Sequence, residues 1–231
     1  TAASRAREHP PRGRAVPQLF PPVANVLARW SLAALLVFLG AGAWAWTAFT
    51  RSDYLTRVNH APAQPVPFSH QHHVGRIGID CRYCHASVAD SAFAGLPPTH
   101  TCMSCHSQLW RDAPMLDPVR RSLAAGVPLR WIRVYDLPDF VYFDHSVHVR
   151  QGIGCTTCHG PVGEMPLTRK VADLSMRWCL NCHAKPERYV RPREEVFNPD
   201  YTPPADQQAL GARLVREYGI QRRIDCSTCH R

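Results

Sequence analysis

Phe68-Ser69-His70-Gln71-His72-His73-Val74 leads into Cys81-Arg82-Tyr83-Cys84-His85, and Phe143-Asp144-His145-Ser146-Val147-His148-Val149 leads into Cys155-Thr156-Thr157-Cys158-His159. Both stretches read Phe-x-His-x-x-His-Val, then a short Gly/Ile segment, then Cys-x-x-Cys-His. In each a second Cys-x-x-Cys-His follows, with its histidine 21 or 24 residues after the first. Self-similarity over such a period marks an internal duplication. Residues 68–110 form one copy and residues 141–190 the other, joined by a connecting segment, 111–140.

All ten cysteines fall in five copies of this motif: Cys81/Cys84/His85, Cys102/Cys105/His106, Cys155/Cys158/His159, Cys179/Cys182/His183 and Cys226/Cys229/His230. Composition alone predicts roughly 0.02 such pentapeptides in a chain of this length, so the pattern is not chance. Zinc knuckles and ribbons also use paired Cys-x-x-Cys, but they do not require a histidine directly after the second cysteine of every pair. Two thiols at this spacing reach the two vinyl groups on one porphyrin edge, and the next residue turns under the ring to ligate iron. The reading is five covalently bound haems c, with His85, His106, His159, His183 and His230 as proximal ligands. Attachment of thiols to haem takes place outside the cytoplasm, so export is implied.

Trp30–Thr50 is a run of 21 residues without charge. As a helix it spans about 31 Å, close to the ~30 Å hydrocarbon thickness of a bilayer. Trp30, Trp44 and Trp46 are placed as interfacial anchors. The run is longer than the roughly 7–15 apolar residues of a signal peptide, so a retained single span is expected. Residues 1–29 form a basic, Pro-rich arm, read as disordered. Its arginines put the N-terminus in the cytoplasm and the haem region on the outer, periplasmic face of the cell membrane.

Of the net charge of +9, +4 lies in the first 50 residues and +5 in residues 51–231. Ten propionates offset most of the latter, so the basic balance carries no argument for a nucleic-acid partner. Residues 51–67 read as an extended linker. Residues 191–231 hold the fifth motif behind a helix over roughly Asp206–Tyr218, with Leu210, Leu214 and Val215 on one face. Some 180 residues serving five haems leave little protein for an ordinary core. The haems are expected to be the core, with short helices and irregular loops wrapped on porphyrin faces and almost no sheet.

Histidines at i and i+3 of one helical turn share a face and can reach two neighbouring haems. His70 with His73 and His145 with His148 are therefore the candidate distal ligands. One haem remains, and Met165 or Met176 is the favoured sixth ligand, with His60 and His100 as alternatives. His72 stands opposite Val147 in the repeat and reads as a surface or propionate contact. His9 lies in the arm and reads as solvated.

The strings FSHQHHVGRIGIDCRYCH, PPTHTCMSCHSQLW, DLPDFVYFDHSVHV, GCTTCHG followed by MPLT, MRWCLNCH and CSTCHR resemble the pentahaem cytochrome c component of bacterial alternative complex III. The Phe-x-His-x-x-His element alone is shared with cytochrome c3-type proteins. The fold class implied is mostly α and irregular, with cytochrome c3-like modules and one N-terminal transmembrane helix. The resemblance further implies a quinol:electron-acceptor oxidoreductase complex. Its partners would be an iron–sulfur subunit, polytopic quinol-oxidising membrane subunits, and a further cytochrome c or other soluble acceptor. In it His70, His73, His145 and His148 would be haem ligands, with a methionine on one haem. No catalytic residue is expected, because saturated haems bind no substrate. The alternative reading is a stand-alone membrane-anchored multihaem quinol dehydrogenase, with Tyr54 and His60 near the membrane surface.

Overall fold

The computed structural model describes residues 19–230. The chain divides into two units, residues 1–52 and 53–231. The first holds α1 (Pro22–Thr50), which starts with Pro22 at its first turn, where the missing N–H costs nothing. The helix begins earlier than the uncharged run. Residues 22–29, read from sequence as part of a disordered arm, are helical, and Arg29 is carried on the helix. The arm up to residue 18, with His9, lies outside the described residues. No side chain of α1 is buried, and the helix is long and apolar enough to cross a membrane.

The second unit is built from short pieces: α2 (Asp53–Thr56), a π-helical turn (Gln71–Arg76), α3 (Cys81–Cys84), α4 (Thr99–His106), α5 (Asp117–Ala125), α6 (His145–Arg150), α7 (Cys155–His159), α8 (Met176–Ala184), α9 (Gln207–Glu217) and α10 (Cys226–Cys229). Among the described residues there is no β-strand; Val141 with His230 and Ile153 with Val190 form isolated bridges. The linker is less extended than the sequence suggested, since α2 and a turn at Arg57–Asn59, with Arg57 and Asn59 at positive φ, interrupt it. α9 matches the expected helix. It buries Leu214 and presses Gly211 so closely on Glu187 that a Cβ there would stand 1.8 Å from that carbonyl oxygen.

The duplication is visible in geometry, and one difference between the copies is informative. Arg76-Ile77-Gly78-Ile79-Asp80-Cys81 aligns with Arg150-Gln151-Gly152-Ile153-Gly154-Cys155 only if Gly75 is an inserted residue. A single insertion into a helical turn widens it to a π-turn, and the turn is π-helical here but α-helical in α6. Register recovers beyond it: Ile79 N donates to His73 O and Ile153 N to His148 O, both at 3.0 Å, and Gly78 and Gly152 share a left-handed φ of 74° and 76°. The inserted residue is glycine because a Cβ there would lie 2.1 Å from the Gly163 carbonyl oxygen of the other copy.

Side-chain cores are small. Val66, Leu116 and Val119 form one cluster beneath α4 and α5, and Val190, Val196 and Leu214 are buried elsewhere. Many large apolar side chains of the second unit stand open, among them Phe93, Trp110, Phe140 and Met176. A chain organised around its own core would cover these.

Candidate haem-binding centres

Each motif helix presents its cysteine pair and turns its histidine out at the C-terminal end. Asp80 caps α3 by accepting from Arg82 N at 2.8 Å, and Ser175 caps α8 by accepting from Trp178 N at 3.3 Å. The histidine rings are fixed by backbone carbonyls. Nδ1 of His85 bonds Gly95 O at 2.8 Å, that of His106 bonds Leu109 O at 3.1 Å, that of His183 bonds Arg223 O at 2.9 Å, and that of His230 bonds Phe140 O at 3.2 Å. His159 packs instead edge-on to Tyr135, with ring centres 4.4 Å apart. A ring held through Nδ1 has Nε2 left to ligate a metal.

The four histidines of the repeat are held the same way. His73 Nδ1 bonds Ser69 O at 2.8 Å and His148 Nδ1 bonds Asp144 O at 2.7 Å. Phe68 and Phe143 stack on those two rings, each with centroids 4.5 Å apart, and stand edge-on to His70 and His145. The Phe of the motif is thus the common wall that splays its two histidines apart. His145 and His70 take their anchors across the duplication: His145 Nδ1 bonds Ala92 O of the first copy at 2.9 Å, and His70 Nδ1 meets Thr168 Oγ1 of the second, also at 2.9 Å. Asp144 accepts from Ser146 N and Val147 N and so caps α6.

Histidines of the Cys-x-x-Cys-His motifs meet histidines of the Phe-x-His-x-x-His repeat in pairs. Ring centroids are 6.2 Å apart for His73 and His106, 6.4 Å for His145 and His159, and 6.1 Å for His148 and His183. Two imidazoles on opposite sides of one metal ion, each bonded at about 2 Å, have centroids about 6 Å apart. The pairs therefore fit the two axial positions of a haem iron. Among the described residues no three His, Cys, Asp or Glu side chains gather as a small metal centre would need. His70 lies near His85, whose charge, after burial, helps to lower the His70 pKa to about 4. Burial first, then the charge of His145, lowers that of His159 to about 4 as well. Both imidazoles stay neutral well below the usual range, which is the state a metal ligand needs.

Thiols of different motifs also lie close. Those of Cys81 and Cys155 touch, which lowers the Cys81 pKa to about 7 and pushes that of Cys155 up. Cys84 is influenced by Cys102, Cys158 by Cys182 and Cys179, and Cys179 by Cys229.

Cys105 and Cys226 are exposed, whereas the other eight are half-buried. On α4, Cys102 and Met103 lie against the cluster of Val66, Leu116 and Val119, whereas Ser104 and Cys105, which follow them, are exposed. The one polar neighbour of the Cys105 sulfur among the described residues is the Ser104 hydroxyl, 3.9 Å away. Cys226 opens α10. The second and fifth motifs therefore have one exposed thiol each, while both thiols of the first, third and fourth are half-buried.

The two candidate methionines differ. Met165 is completely enclosed, its backbone carbonyl accepting from Gln71 N at 2.9 Å, whereas Met176, at the start of α8, is 66% exposed. His60 and His100 are exposed, and His72 leans on Trp110 with ring centres 5.4 Å apart. Sequence reasoning did not single out Thr168, Tyr135 or Arg191. Only Gly75 had a visible signal, the one-residue offset between the copies.

Residues 141–231 match the family model of cytochrome c7 and related cytochrome c. Over 117 residues the chain is 35% identical to the multihaem cytochrome c subunit of the menaquinone reductase of Nitratidesulfovibrio vulgaris (strain Hildenborough). That match takes in 50% of this chain and 52% of the relative, so the chain spans about half the length of the curated relative it matches. With a mostly helical and irregular architecture, strand-free among the described residues, the chain is similar to multihaem c-type cytochromes, and its residues 141–231 form a domain of the cytochrome c7-like kind.

Proposed function

We propose that the chain carries five haems c and relays electrons within a membrane quinol:electron-acceptor oxidoreductase of the alternative complex III type. The observation that supports this best is the set of paired imidazoles at about 6 Å, each distal ring held through Nδ1 so that its other nitrogen is free. When bound, haem iron supplies one-electron exchange between ferric and ferrous states.

The ligand sets are His85 with His70, His106 with His73, His159 with His145, and His183 with His148. His230 is completed by Met176 rather than Met165. An iron ligand needs one open side, and Met165 has none. Met176 precedes Cys179 by three residues on α8, sharing a face with the cysteine that lies near Cys229 of the fifth motif. The neighbouring thiols support a haem order of 2–1–3–4–5 along the unit. The two motifs with an exposed thiol, those of Cys105 and Cys226, are then the two ends of that order, where an electron enters or leaves.

α1 anchors the chain in the cell membrane with its N-terminus cytoplasmic and residues 53–231 on the periplasmic side. The partners are an iron–sulfur subunit, polytopic quinone-reactive subunits and a soluble acceptor. A second reading comes from the relative's name: the same relay run in reverse, delivering electrons to menaquinone.

The test is native isolation from membranes in mild detergent, with companions identified by mass spectrometry and haem counted by the pyridine haemochrome method. Five haems per chain, co-purifying iron–sulfur and polytopic subunits and quinol:cytochrome c activity are expected. Quinone reduction without quinol oxidation would favour the reverse direction. Isolation alone with full quinol oxidation would sink the complex and favour a stand-alone dehydrogenase.

A further inference from the structure

Gly154 stands directly before Cys155, where Asp80 stands before Cys81 and Asp225 before Cys226. Asp80 and Asp225 hold their motifs with carboxylates: Asp80 accepts from Arg82 N, and Asp225 accepts from the Ser227 and Thr228 hydroxyls at 2.8 Å each. In the third motif that position is filled from outside, and with the opposite charge. A Cβ at Gly154 would lie 2.2 Å from Cζ of Arg191, so the guanidinium occupies the space a side chain would take. It donates to Thr156 Oγ1 at 3.1 Å, Thr157 Oγ1 at 3.4 Å and the Glu195 carbonyl oxygen at 3.5 Å, and lies 4.4 Å over the Tyr201 ring.

Arg191 is only 6% exposed, and its Nε has no hydrogen-bond partner among the described residues. No carboxylate comes within ion-pair distance of it among those residues. The Glu195 side chain accepts instead from Asn198 at 2.6 Å. A buried cation that makes no direct ion pair costs several kcal/mol in general, which packing alone does not call for. Two threonines and an aromatic face hold it against one haem motif out of five.

We propose that Arg191 sets the potential of the third haem: its buried charge beside Cys155 raises that haem's midpoint potential above those of the other bis-histidine haems. This rests on the reading that Cys155 and Cys158 attach a haem held by His159 and His145. Reduction adds one electron and lowers the net charge at the iron by one, with no bond made or broken. A fixed positive charge in a poorly screened site therefore favours the reduced form. The first haem has no such bias, because Asp80 is paired with the exposed Arg82 at 2.8 Å. The third haem is the middle of the 2–1–3–4–5 order, so the electron taken from the first haem rests there before passing to the fourth.

The experiment is an EPR-monitored redox titration of the intact detergent-solubilised protein, as wild type, Arg191→Met, Arg191→Gln and Arg191→Lys, with haem counted in each. Gln keeps a hydrogen bond to the threonines and so retains the motif geometry without the charge. With five haems attached, Met and Gln are expected to lower the reduced:oxidised ratio of the third haem about tenfold at fixed potential, about 59 mV for a one-electron couple. The other haems stay in place, and Lys recovers most of the shift. An unmoved third haem in Gln, or a Lys variant that falls as far as Met, overturns the proposal. Fewer than five haems in the wild type would instead overturn the attachment reading beneath it.

Discussion

At the scale of single residues, the orientation of each imidazole carries as much information as its position. The rings of His145 and His159 are inclined by 15°, whereas those of His148 and His183 are inclined by 65° and those of His73 and His106 by 70°. For His145, His148, His183, His73 and His106 a backbone carbonyl at Nδ1 fixes the ring about its axis, and His159 is held instead by the edge of Tyr135. Near-parallel axial imidazoles give a rhombic low-spin ferric spectrum, and near-perpendicular ones a highly anisotropic signal. The oxidised protein is expected to show one haem of the first type and two of the second, read directly by low-temperature EPR; three indistinguishable signals would contradict the ring geometry. Thr168 makes a second residue-level prediction. Thr168→Val leaves the His70 Nδ1 proton unpaired in a partly buried site, at a cost of about 1 kcal/mol. The expected outcome is a high-spin fraction at the first haem alone, visible in the absorption and EPR spectra. The candidate histidines could be picked out in the sequence because motif spacing marks them. Thr168 was not, because 98 residues separate it from its partner. Nor was the exposure of Cys105, since the five motifs are alike in sequence and only their surroundings in the fold distinguish them.

At the scale of elements, the instructive piece is the π-turn over Gln71–Arg76. Its cause is countable in the sequence, one extra glycine between the Val and Arg that both copies share, yet its consequence needs three dimensions. The turn brings Gly75 against Gly163, a contact between the two copies that no periodicity reveals. Gly75→Ala is expected to lower the thermal midpoint of the holoprotein, with a penalty of about 1–3 kcal/mol for forcing a methyl group onto backbone. Gly78→Ala, where no atom lies within 4 Å, supplies a comparison limited to the strain of its φ of 74°. If Gly75→Ala melts with the wild type, the close approach is not maintained in solution. α9 was readable from its apolar face. The start of α1 was not, because residues 22–29 carry Arg29 and lack the uniform hydrophobicity that marks the remainder, while Pro22 supplies a start signal that local composition conceals.

At the scale of the whole haem-bearing unit, the sequence correctly implied a protein poor in strands and in ordinary core, since porphyrins must stand where side chains otherwise pack. What it did not show is how the two copies hold each other. His145 is anchored on Ala92 and His70 on Thr168, so each copy supplies the fixed point for the leading distal histidine of its twin. Residues 141–231, exported and matured alone, are expected to attach three haems but to hold the third with a loosened distal ligand. A marked rise in its high-spin fraction over the intact protein is the measurement. An unchanged spectrum would mean that Phe143 and α6 suffice.

That exchange of anchors also ties the two halves into one inheritance. A half standing alone would need a new partner for its leading histidine, because here that partner belongs to the neighbouring half. A change at Thr168 or in the backbone at Ala92 is therefore felt in the other half, so the two are bound to vary together.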